Sequence, residues 1–213
     1  MKIGIIGSGT VGQQLGIGFS KAGNEVKIGT RDKSKLNDWE KNAGAKASVG
    51  SNEEAAKFGE IVILATAWSG TENAIKISVK ENFSGKVLID VTNPLDFSGG
   101  MPPKIAVPFN DSGAQHIQKW LPDAKVVKAF NIVNAYTMIN PKHEEGTPDL
   151  FIAGNDKTAK EKVTSLARQL GWVSIIDLGD LSEAIWLETL TMLWIHYGAK
   201  FNSWTHAFKL LKK

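Results

Sequence analysis

The sequence predicts an α/β protein: a Rossmann-type, doubly wound, mainly parallel sheet with a small C-terminal extension of helix and strand. Three observations lead there. Short apolar runs alternate with helical patterns from the N-terminus onward, the signature of βα units. The first run, "KIGIIG", opens straight into a glycine-rich turn, Gly7-x-Gly9-x-x-Gly12. The chain has 213 residues, 42% hydrophobic and 22% charged, which suits one full domain with an appendage.

The elements follow in order. After "KIGIIG" a helix through Leu15 and Phe19 stops at "KAGN", where Gly23 fits the helix C-terminus. "EVKIGT" is the second strand, and "KSKLNDWEKNAG" a polar helix. "AKASV" is a weak third strand; in "SNEEAAKFG", Ser51 and Glu54 stand at capping-box spacing. "EIVILAT" is a nearly continuous apolar strand, as expected when helices cover both faces. Ser69 and Glu72 repeat the capping-box spacing ahead of "TENAIKISVKEN". "GKVLIDVTNP" and "AKVVKAFNIV" complete six strands. Between them, residues 96–115 form a long loop rich in Gly and Pro, a length usually kept for function. "LFIAG", a helix over 156–170, the strand "WVSIIDLG" and a last helix from Ser182 follow. The expected division is 1–150 for a dinucleotide-binding domain and 151–213 for a subdomain that completes the pocket.

Composition removes several functions. The net charge of +3 is mild and the lysines are scattered, which argues against a nucleic-acid surface. No cysteine is present, so disulfides, thiol catalysis and thiolate metal sites are excluded. The four histidines, His116, His143, His196 and His206, show no metal-binding spacing. No apolar run approaches the roughly 20 residues needed to span a bilayer. The N-terminal "MKIGIIGSG" enters a strand at once, unlike a signal peptide. A cytoplasmic protein is expected.

The glycine turn carries the first functional reading. Gly7 makes the tight turn, Gly9 lets a diphosphate approach the backbone, and Gly12 lets the helix pack on the sheet. The anion would sit at the helix N-terminus, against free N–H groups and the helix dipole. Dinucleotide folds that bind NAD place an acid at the end of the second strand, on the ribose 2′-hydroxyl. Here that place reads "KIGTRDKSK". Thr30 and Arg31, with Lys35 a turn on, are groups that would hold a 2′-phosphate. Asp32, one residue later, caps the following helix. Arg31 and Arg168 are the chain's only arginines, which sharpens the point. NADP(H) is therefore the expected cofactor.

Ligands of such sheets lie beyond the carboxyl ends of the strands, here "ATAW" (65–68), "DVTNPLD" (90–96) and "KAFNIVNA" (128–135). Together with the glycine turn, these segments resemble the F420-dependent NADP oxidoreductase family, in particular its bacterial branch. The resemblance runs through "NPLDFSGGMPP" to "DLFIAGND", "IIDLGDLSEA" and "LTMLWIHYG". A related module is the cytoplasmic NADPH-binding domain of the STEAP metalloreductases. The resemblance implies a dinucleotide loop at Ser8, Gly9, Thr10 and Val11, and 2′-phosphate contacts at Thr30, Arg31 and Lys35. It implies cofactor contacts at Thr66, Ala67 and Trp68, at Asn93 and Pro94, and at Asn131 and Ala135. Archaeal deazaflavin enzymes carry histidine where Asn131 stands and proline where Asn134 stands. The hydride partner thus stays open between coenzyme F420, FMN and FAD.

No Ser-His-Asp set, strand-end base or carboxylate pair stands out. Alcohol oxidation would need one, since a proton must leave with the hydride. Hydride transfer between two cofactor rings needs only that they be held face to face. Asn131 and His196 are the weak candidates for any catalytic group. Two rivals are a carbonyl or imine reductase, whose families add a longer helical domain, and a non-catalytic NADP(H) sensor. The last helix is apolar nearly all round, so it should be buried in the fold or against a second subunit. A homodimer is expected.

Overall fold

Ile3, Ile5 and Ile6 make β1 (Lys2–Ile6) apolar on both sides, as a strand covered twice must be. The computed structural model describes residues 1–211. Four βα units follow one another: β1 with α1 (Thr10–Lys21), β2 (Glu25–Gly29) with α2 (Asn37–Ala43), β3 (Ala47–Gly50) with α3 (Asn52–Phe58), and β4 (Ile61–Leu64) with α4 (Trp68–Ile77). After β5 (Val87–Asp90) a small ribbon of β6 (Leu95–Asp96) and β7 (Lys104–Ile105) precedes α5 (Gly113–Trp120). Then come β8 (Lys125–Lys128), α6 (Ala135–Ile139), β9 (Asp149–Gly154), α7 (Lys157–Gln169), β10 (Ser174–Asp177) and α8 (Ala184–Phe201).

The main sheet has eight strands in the order β10-β9-β8-β5-β4-β1-β2-β3. All neighbours from β3 to β8 pair in parallel; β9 runs antiparallel to β8, and β10 parallel to β9. The order reverses between β1 and β4, so a crevice opens there beyond the strand ends. Strand residues alternate between two cores. Ile3, Ile5, Ile61 and Ile63 pack under α1, α2, α6 and α7 with Leu15, Phe19, Trp39 and Val163. Ile6, Val62, Leu64 and Leu88 pack under α3, α4, α5 and α8 with Ile75, Ile117 and Leu187. That is the expected doubly wound class.

Local signals were kept in part. Ser51 and Glu54 form both halves of their capping box. Asp156 caps α7 by accepting from Ala159 N–H, and Gly23 follows α1 at φ +97°. The Ser69–Glu72 box does not form. The helix begins two residues earlier than a Ser69 cap would place it, at Trp68 after Ala67, and has no side-chain cap. The loop 96–115 is not wholly irregular: β6 and β7 pair across it, and its end belongs to α5. The last helix starts at Ala184, after a short turn over Leu181–Glu183. The expected boundary at 150 falls inside β9, which continues the same sheet; Lys212 and Lys213 lie outside the described residues.

Candidate functional site

A cleft of about 470 Å³ opens over the carboxyl ends of β1, β2 and β4, with Gly7, Ser8, Gly9, Thr30, Arg31 and Thr66 in its wall. Ala67 joins them, as do Asn52 from α3 and Asn73, Ala74 and Ile77 from α4, residues that no motif flagged. The turn is built for close approach. Gly7 has φ +113°, where an L side chain is strained. A Cβ at Gly12 would stand 2.0 Å from the Gly7 carbonyl oxygen, so only glycine lets α1 start here. At Gly9 a Cβ would meet nothing within 4 Å, leaving the wall open. Gly9 is the N-cap of α1 and no side chain caps that helix. Its first-turn N–H groups, those of Thr10, Val11 and Gly12, are thus free of a side-chain acceptor and face the turn with the positive end of the helix dipole.

At the end of β2, Thr30 Oγ1 accepts from Ser8 Oγ at 3.1 Å and ties the two strand ends together. Arg31 is exposed and makes no salt bridge among the described residues. The neighbouring cations are engaged: Lys33 lies 3.6 Å from Glu54 and Lys35 3.9 Å from Asp32. Lys35 sits on the turn after β2 and is not part of the cleft wall. Asp32 is turned to its own turn. Its Oδ1 accepts from Ser34 Oγ at 2.6 Å and Ser34 N–H at 3.1 Å, and these bonds hold its carboxyl below the usual aspartate range. Among the described residues, Arg31 is the cation of the cleft wall that meets no carboxylate.

The other expected residues lie elsewhere. Trp68 turns toward α5, stacked on Trp120 at 5.7 Å between ring centroids and edge-on to His116 at 6.2 Å. Asn93 and Asn131, at the ends of β5 and β8, bond reciprocally, each Nδ2 donating at 2.9 Å: Asn93 to the Asn131 carbonyl, Asn131 to Asn93 Oδ1. Thr191 of α8 joins them, donating to Asn93 Oδ1 at 3.1 Å. Pro94 and Ala135 are buried beside this group, and Asn134 caps α6 through Tyr136 and Thr137 N–H. Phe130, just before Asn131, holds φ +64°, a strained value for a phenylalanine, where the chain turns out of the sheet. His196 is exposed on α8.

One charged group escaped the sequence reading. Lys128 is fully buried, with Nζ 2.8 Å from Asp90 Oδ2 and 2.8 Å from Glu188 Oε1, and donates to the Thr92 carbonyl as well. Glu188 also accepts from Gly113 N–H at 2.9 Å and Ala114 N–H at 3.2 Å, at the start of α5. Burial alone pushes the Lys128 ammonium down, but Asp90 and Glu188 outweigh it and hold it above the ordinary lysine value. The signal was there: three charges stand in otherwise apolar elements, and buried charges occur in partnerships.

Residues 2–94 match the family model described as NADP oxidoreductase, coenzyme F420-dependent. The chain is 33% identical over 95% of its length to the F420-dependent NADP reductase of Methanocaldococcus jannaschii, covering 95% of that protein. It is 28% identical over 90% of its length to the metalloreductase STEAP3 of Rattus norvegicus, of which it covers 36%. Among solved structures, a proposed F420-dependent NADP-reductase from Arthrobacter sp. FB24 superposes with a TM-score of 0.94 at 36% identity, over 100% of both chains.

Proposed function

Since the chain belongs to the coenzyme F420-dependent NADP oxidoreductase family and is an NADP-dependent oxidoreductase, we propose that it passes hydride between NADP(H) and a flavin or deazaflavin ring. The observation that carries this is one cleft joining an uncapped helix N-terminus to Thr30 and to Arg31, which has no salt bridge among the described residues. Gly7 through Gly12 hold the diphosphate with Ser8, Thr10 and Val11 supplying N–H groups. Thr30 and Arg31 hold the 2′-phosphate from the cleft wall, and Lys35, exposed on the turn beyond, adds its charge from outside that wall. Thr66 and Ala67 edge the middle of the dinucleotide, with Trp68 behind them against α5; Asn93, Pro94, Asn131 and Ala135 bound its nicotinamide end. When bound, the nicotinamide supplies or takes up the hydride. The chain's task is then to fix two rings and exclude water, and amides and a hydroxyl at the ends of β5 and β8 suffice for that. Coenzyme F420, FMN and FAD are the acceptor class.

Residues 1–150 carry the cofactor in this reading, and 151–213 complete the pocket and meet a second subunit. The work belongs in the cytoplasm, where NADP(H) is kept. On α8, Trp186, Leu193, Tyr197 and Phe201 are exposed at helical spacing and form an apolar stripe that suits a homodimer. Trp194, beside this stripe, is covered by the chain's own C-terminal segment, its Nε1 donating to the His206 carbonyl at 2.8 Å.

The test is NADPH oxidation against F420, FMN, FAD and riboflavin beside common carbonyl and imine substrates. Turnover with a tricyclic ring is the expected result. Turnover confined to a carbonyl or imine compound would refute the ring-to-ring reaction, and tight NADPH binding with no turnover would make the protein a sensor.

A further inference from the structure

Asn52 stands in the wall of the cleft, is 9% exposed, and its Oδ1 has no hydrogen-bond partner. Of the five buried side-chain atoms without a partner among the described residues, it is the one that belongs to this cleft. Its position is rigid from both sides. Ser51 and Glu54 lock the start of α3 through the capping box. Gly29, at the end of β2, has no side chain, and a Cβ there would stand 2.6 Å from Asn52 Oδ1 and 2.8 Å from its Cα. The strand end and the helix start therefore touch, and the carboxamide lies beside the residues that lead into Thr30 and Arg31. Folded proteins rarely leave a buried oxygen unpaired, and where one borders a binding cleft a ligand can supply the partner.

We propose that Asn52 reads the adenosine ribose of NADP(H), its carboxamide oxygen accepting from the 3′-hydroxyl while Thr30 and Arg31 hold the phosphate on the 2′-oxygen. The proposal rests on the NADP(H) reading above. The atom left without a partner is the carboxamide oxygen, an acceptor, so it pairs with a donor and not with a phosphate oxygen; Nδ2 of the same group is not among the buried atoms without a partner. A ribose phosphorylated at the 2′-position keeps one hydroxyl, at the 3′-position. The adenine amine is the other donor in that half, but the end of the second strand is where dinucleotide folds hold the ribose. Asn52 abuts that end. The site thus has an order, a cation for the 2′-position and an acceptor for the 3′-position. A nucleotide with its phosphate at the 3′-position would bring an anion against the Asn52 oxygen and a hydroxyl against Arg31. Asn52 makes the cleft choose between the two isomers.

Calorimetric titration of adenosine 2′,5′-bisphosphate and adenosine 3′,5′-bisphosphate into wild type and Asn52→Ala tests this, with thermal melts to establish that the variant is folded. The variant should lose roughly 5- to 20-fold in affinity for the 2′,5′-isomer, as for one hydrogen bond, and about twofold or less for the 3′,5′-isomer. Asn52→Asp keeps the shape and the acceptor but adds a charge beside the phosphate. It should weaken NADPH at least tenfold while leaving NADH within about threefold, and it carries the comparison if the alanine variant melts early. Equal losses for both isomers, or no loss in a folded variant, would overturn the role of Asn52 and leave the NADP(H) reading standing. Wild type that binds neither bisphosphate would overturn both.

Discussion

Arg31 stands between β2 and the turn that follows it, an exposed cation with no carboxylate partner among the described residues, and its removal should be felt by one ligand only. Arg31→Ala should weaken NADPH by about 1.5–3 kcal/mol, the range for a charged hydrogen bond, or roughly 10- to 150-fold. NADH should hardly change. Fluorescence titration of both cofactors decides it: an equal loss would remove the 2′-phosphate role. Lys128 makes the opposite case, a cation whose partners are all inside. Lys128→Met leaves two carboxylates buried against each other and should cost about 3–5 kcal/mol in urea denaturation. Lys125→Met, at a half-exposed pair with Asp156, should barely move the midpoint. The two lysines share one strand but were not equally legible. Thr30 and Arg31 could be placed because the glycine turn sets the numbering of everything near it. The Lys128 group could not, because Asp90 is 38 positions away and Glu188 lies on a helix whose docking no local pattern encodes.

Among the elements, the βα units were legible wherever a strand and a helix each had a full period to show. Two neighbouring capping signals show where local chemistry stops deciding. Ser51 accepts from Glu54 N–H and the Glu54 carboxylate accepts from Ser51 N–H. Ser69 has the same spacing to Glu72, yet it falls inside the first turn, because Trp68 already belongs to the helix and packs against α5. Tertiary packing chose the start. Ser51→Ala should therefore cost about 1 kcal/mol, and Ser69→Ala no more than about 0.5 kcal/mol, in the same denaturation experiment. Equal costs would mean that Ser69 caps α4 in solution. The ribbon of β6 and β7 was invisible for a different reason: two-residue strands carry no periodicity to detect.

For the molecule as a whole, the eight strands of the main sheet were legible and the direction of the last two was not. An apolar run reads the same whichever way it is laid, and β9 enters beside β8 reversed. The exposed stripe on α8 sets the assembly prediction. Light scattering at micromolar concentration should give twice the mass of the chain, and Trp186→Glu with Tyr197→Glu should halve it without unfolding the subunit. A wild-type monomer would end that proposal. During synthesis, Asp90 and Lys128 leave the ribosome long before Glu188 does. Until α8 arrives, the ammonium has one carboxylate instead of two, and the Gly113 and Ala114 N–H groups wait for their acceptor. The nascent chain thus carries an unfinished charge at its centre, and the last helix is what completes it. A message cut short before that helix yields a product that cannot close its own interior, one for the protease rather than the cofactor.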